Sequence, residues 1–141
     1  MIFAEIEQAI ADRLSPLRSS GGIATRAMPN KPAEWGKSEN GIITLKWEKD
    51  EAEPSISMGK FKQRVFMSWK LDVRLRNLRD VNGAWKILEE ITQLLLGFRP
   101  PQCEKIYLKS REFLGELEGI WVFEVVFIVP TWIQETIQET L

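Results

Sequence analysis

Residues 61–76 read FKQRVFMSWKLDVRLR, and their parity decides the fold. Odd positions hold Phe61, Val65, Met67, Trp69, Leu71, Val73 and Leu75, interrupted by Gln63, while even positions hold Lys62, Arg64, Lys70, Arg74 and Arg76 among Phe66, Ser68 and Asp72. A period of two is the signature of a strand with one apolar and one polar face. At about 3.3 Å per residue the run would extend on the order of 50 Å. A domain of this size does not need such a length, so the strand is expected to bend, bulge or project.

Working outward, Ile43, Leu45 and Trp47 alternate with Thr44, Lys46 and Glu48, which predicts a second strand over 42–49, followed by an acidic, proline-bearing turn or loop over 50–57. A short strand is predicted over 23–27. On the other side, Ala84, Trp85, Leu88, Ile91, Thr92 and Leu95 form a helical stripe, with Asp80 or Asn82 available as N-cap and Gly97 as the stop. Pro100 and Pro101 end that segment. Residues 105–114 and 120–129 then read as an antiparallel hairpin joined through 115–119, and the second of these strands is apolar on both faces, which places it inside the sheet. The N-terminal stretch carries Phe3, Ile6, Ile10, Leu14 and Leu17 at helical spacing, with Ser15-Pro16 or the residues just after Leu17 as its end and Ser19 to Gly22 as breakers. Residues 28–41 are dense in turn formers and predict an irregular loop; residues 130–141 predict a tail, either a short docked helix or an arm. The sum is one α+β domain over 1–141, with a mixed, mainly antiparallel sheet of about four to five strands flanked by two main helices.

Composition excludes several chemistries. The chain has 141 residues, 44% of them apolar and 28% charged, and a net charge of -1, so it suits a folded domain without a global field for polyanions. Histidine is absent, which removes Ser-His-Asp and Cys-His nucleophile systems and His-ligated metal sites. The single Cys103 has neither a disulfide partner nor a histidine base, fits a reducing compartment, and reads as a passive small residue. Residues 1–17 lack the basic start and unbroken apolar run of a signal peptide, and no segment has the apolar length of a membrane span. Gly36-Lys37-Ser38 imitates the end of a phosphate-binding loop, but Lys31 stands where its first glycine is required. Carboxylates gather around Glu48–Glu53, Glu89–Glu90 and Glu112–Glu118. They read as solvated charge, with a carboxylate-based hydrolase as the enzyme alternative. No catalytic, cofactor or metal residues are assigned, and the protein is expected not to be an enzyme.

The charges are sorted along the chain. Between residues 59 and 79, Lys60, Lys62, Arg64, Lys70, Arg74, Arg76 and Arg79 face only Asp72, whereas Glu48, Asp50, Glu51 and Glu53 crowd the preceding segment and Glu135 and Glu139 the tail. Opposite patches suit head-to-tail association of copies, and a nucleic-acid accessory role for the basic strand over 60–79 is the alternative. Trp47, Trp69, Trp85 and Trp121 lie on apolar stripes and read as core. Trp35 and Trp132 read as contacts. The interface residues assigned are Lys62, Arg64, Lys70, Arg74, Arg76, Trp35, Trp132, Glu135 and Glu139.

The order MSWKLDVRLRNLRDVNGAWKILEEITQLLLGFRPP at 67–101, followed by KIYLKSREFLGELEGIWVFEVVFIVPT at 105–131, resembles the Mu-type phage tail proteins of tail completion or termination. The resemblance implies a structural subunit of a phage tail or phage-like contractile injection system that caps or completes the tube or sheath as a ring, typically a hexamer. Its implied partners are itself and tube or sheath subunits; no membrane partner is expected, and nucleic acid stays the less favoured alternative. Its implied location is the cytoplasm during assembly and then the particle.

Overall fold

The computed structural model describes residues 2–27, 41–54, 61–80 and 83–134. In chain order these form α1 (Ile2–Leu14), α2 (Pro16–Gly21), β1 (Ile23–Ala27), β2 (Gly41–Ala52), β3 (Lys62–Leu75), α3 (Ala84–Leu95), β4 (Tyr107–Leu117) and β5 (Ile120–Gln134). The sheet runs β1-β2-β3-β5-β4; β1 is parallel to β2 and every other pair is antiparallel. Strands dominate, and α2 is an additional short helix. The predicted loop over 28–41 lies outside the described residues apart from Gly41, which begins β2.

The parity of β3 holds along its whole length. Val65, Met67, Trp69, Leu71, Val73 and Leu75 join Ile43 and Leu45 of β2, Phe123, Val125, Phe127 and Val129 of β5, Ile6, Ile10 and Leu14 of α1, Leu17 of α2, and Ile87, Ile91 and Leu95 of α3 in one core. The helices therefore cover the odd face of β3. β3 does not project, because β2 and β5 match its length. The irregularity expected within it sits in its neighbour, as a bulge in β2 between Trp47 and Lys49.

Several boundaries differ from the sequence reading for identifiable reasons. α1 ends at Leu14, just before Ser15-Pro16 as expected, but Pro16 also opens a second short helix, since a proline in the first turn gives up only an N–H that has no partner there; Gly22, at φ 67°, closes it. β2 continues past Lys49, with Asp50 and Glu51 in register with Met67 and Phe66, so the expected acidic loop begins only after Ala52. The hairpin turn is two residues rather than five: Glu118 (φ 51°) and Gly119 (φ 81°) take the paired positive φ angles that match strand twist, and β4 extends to Leu117.

α3 is capped by Gly83, not by Asp80; Asn82 lies outside the described residues. Ala84 and Trp85 donate their backbone N–H groups to the carbonyls of Asn77 and Leu78, and the chain passes so close that a Cβ on Gly83 would lie 2.6 Å from the Leu78 carbonyl oxygen. The predicted tail is overturned up to Gln134, because β5 runs straight through Pro130. The Pro130 carbonyl accepts from the Glu104 N–H on the side away from β3, and the missing N–H of a strand residue points the same way as its carbonyl. The proline thus removes no bond from the β3 ladder.

Candidate interaction surface

The even face of β3 carries no helix among the described residues. Across it, β2 contributes Ile42, Thr44 and Lys46, and β5 contributes Val122, Glu124, Val126, Ile128, Pro130 and Trp132, each opposite an even residue of β3. Ile42, Val122, Val126 and Ile128 are buried but belong to no part of the helix-side core. They form an apolar strip roofed by the long side chains of their neighbours.

Those neighbours are matched charges. Lys70 Nζ lies 2.9 Å from Glu48 Oε2 on β2 and 3.2 Å from Glu124 Oε1 on β5, so it bridges three strands. Asp72 takes Arg74 Nε at 2.9 Å and Lys46 Nζ at 3.7 Å. Arg64 Nε binds Glu104 Oε2 at 2.9 Å while its guanidinium stacks 4.7 Å over the Phe66 ring. Farther out, Lys49 and Glu51 pair at 2.7 Å with both side chains in water. The hydrogen bond from Lys70 holds the Glu48 carboxyl below its ordinary range, and the bond to Glu48 holds the Lys70 ammonium above its own.

The acidic segment of β2 and the basic segment of β3 fold into adjacent strands, where Glu48 pairs with Lys70, while Arg64 and Arg74 take carboxylates from outside the acidic segment, Glu104 and Asp72. Lys62, Arg64, Lys70, Arg74 and Trp132 do share one face, and Arg76 lies exposed just beyond its end. Trp35, Glu135 and Glu139 lie outside the described residues.

Glu104, Glu124 and Lys46 are ladder members that the sequence reading did not single out; the polar Glu124 inside an otherwise apolar strand was the available signal. A shallow depression of about 310 Å³ crosses the same face, lined by Glu51, Phe66, Ser68, Tyr107, Lys109 and Ile128.

The tryptophans divide differently from expectation. Trp69 is buried, but Trp47 and Trp85 are about half exposed, as is Trp132. Trp85 turns outward because the buried stripe of α3 is Ala84, Ile87, Ile91 and Leu95; it rests edge-on against Phe123, 6.4 Å between ring centres. Trp47 meets Phe3 of α1 at 5.4 Å. Cys103 is buried beside Thr131, and burial pushes its thiol up, away from the reactive thiolate. Among the described residues no group of three or more Cys, Asp or Glu is placed to hold a metal ion, and no helix is long and apolar enough to cross a membrane.

Residues 12–141 match the family model described as Gp37 protein. No curated protein matches the chain.

Proposed function

Since this chain belongs to the phage-associated Gp37 protein family, we propose that it is a structural subunit of a phage tail or phage-like contractile injection system, completing or capping the tube or sheath as an oligomeric ring. It acts by geometry, without catalysis or cofactor. Repetition of one surface around an axis would cover the growing end of a polymer and present a different face to the next component. It would assemble in the cytoplasm and stay with the particle.

The observation that carries this reading is the helix-free sheet face. An interface core is depleted in unpaired charge and rich in aromatic and apolar area, because a charge buried without a partner is costly. Here Lys70, Arg74 and Arg64 already have carboxylates within the subunit. A neighbour can cover this face, with the half-exposed Trp132 as apolar contact, without stranding them. The same pairing disfavours the nucleic-acid reading, since cations already matched to carboxylates release few phosphate counterions.

Electron microscopy of particles from cells lacking the protein tests this: tails or sheaths of uncontrolled length are expected, and particles of normal length and completeness would overturn the proposal. Trp132→Ala, exposed enough to leave the fold intact, is expected to cut incorporation into particles by about tenfold, as for a central aromatic contact.

A further inference from the structure

We propose that β4 is a self-pairing edge, through which two copies of this chain join antiparallel into one continuous sheet. This goes beyond the proposed function and does not depend on it, because a two-fold pairing closes at two copies and leaves the helix-free face open.

β4 is the last strand of the sheet, so one side of its backbone has no strand partner among the described residues. Edges of that kind are ordinarily kept short, charged or bulged; β4 has the charge and two bulges but not the shortness. This one is 11 residues long and leaves Tyr107, Phe113, Leu114 and Leu117 each about half exposed or more. The occupant is identified by charge order. From Lys105 to Arg111 the exposed ionised side chains are Lys105, Lys109 and Arg111; from Glu112 to Glu118 they are Glu112, Glu116 and Glu118. A parallel copy would set like charge against like. An antiparallel copy sets the basic half of each strand along the acidic half of the other, with long side chains reaching diagonal partners.

One detail agrees. Glu112 stands directly opposite Glu124 of β5, whose own cation is Lys70, and among the described residues Glu112 has no ion-pair partner. Two carboxylates facing each other across a ladder are destabilising, and a basic half-strand arriving on the open side relieves them.

Sedimentation of three proteins tests the pairing: wild type, an acidic edge (Lys109→Glu with Arg111→Glu) and a basic edge (Glu112→Lys with Glu118→Lys). Wild type is expected to dimerise, each variant alone to self-associate at least about tenfold more weakly, and an equimolar mixture of the two to recover the dimer. Circular dichroism reports the fold separately. If the acidic edge fails to fold through loss of the Arg111 bond to Thr92, Lys105→Glu with Lys109→Glu replaces it. A wild type that stays monomeric, variants that keep the wild-type mass, or a mixture that does not reassociate would each overturn the pairing, whatever the particles of the deletion strain look like.

Discussion

The two faces of one sheet solve burial in different ways. On the helix side, β3 sends Trp69, Leu71 and Val73 into a core closed by α1, α2 and α3, and close packing does the work. On the other side, Val122, Val126 and Ile128 are also buried, though less completely, and the residues beside them on that face form ion pairs instead of meeting a helix. Low accessibility is therefore not one condition. The first kind belongs to the fold alone, and the second is available to be covered again by another molecule.

Emptying a site on each side is the harshest way to break that comparison. Trp69→Ala is expected to cost about 3–5 kcal/mol, because it removes the largest buried side chain and leaves a cavity under three helices. Val126→Ala is expected to cost only about 1–2 kcal/mol, since the roof above it is flexible and can settle. Denaturant unfolding measures both. Equal costs would mean that the helix-free face is packed as tightly as the core.

Next in size is the central cation of the lattice. Lys70→Ala leaves Glu48 and Glu124 facing each other, partly desolvated, with an expected cost of about 1–2 kcal/mol at neutral pH. The cost should depend on pH with a defined sign. Glu48 is held below its ordinary range, so its contribution is present above the usual carboxylate range and fades as pH falls through the lowered value. Lys70 is held above its ordinary range, so its contribution is complete below the usual lysine range and fades as pH rises through the raised value. The difference between wild type and Lys70→Ala should accordingly be flat between about pH 6 and 9 and shrink at both extremes. A constant difference down to the acid limit would detach Lys70 from the stability of the sheet.

These contrasts also explain what could be read from the residues alone. Local pattern sufficed for two features: β3 and its apolar face were legible from alternation in residues 61–76, and the interior position of β5 was legible from two apolar faces over 120–129. The lattice was not, because Glu48, Lys70 and Glu124 become neighbours only once strand order and register are set, and a run of cations looks the same whether it faces solvent or carboxylates on adjacent strands. The passage of β5 through Pro130 was hidden for a similar reason. Proline disqualifies a strand only on a side where a ladder bond is needed, and that side is known only from the neighbours. Trp85 was misplaced because a helix turn offers two adjacent positions to one stripe, and the packing of α3 on the sheet chose Ala84 instead.

The smallest expected effect separates position from chemistry. Lys49 and Glu51 form a contact at 2.7 Å, shorter than either bond of Lys70, and on distance alone it would rank first. Both side chains lie in water, at 49% and 65% exposure, where solvent and salt screen the attraction and ordering two flexible chains offsets what remains. Lys49→Ala should therefore change stability by only a small fraction of what Lys70→Ala costs. Added salt should leave even that difference smaller, whereas the cost of Lys70→Ala should persist. If Lys49→Ala costs as much as Lys70→Ala, the lattice draws its strength from charge pairing as such. If it costs little, the strength comes from the partial burial that neighbouring strands impose, and the inner pairs are the ones that a docked neighbour would seal further.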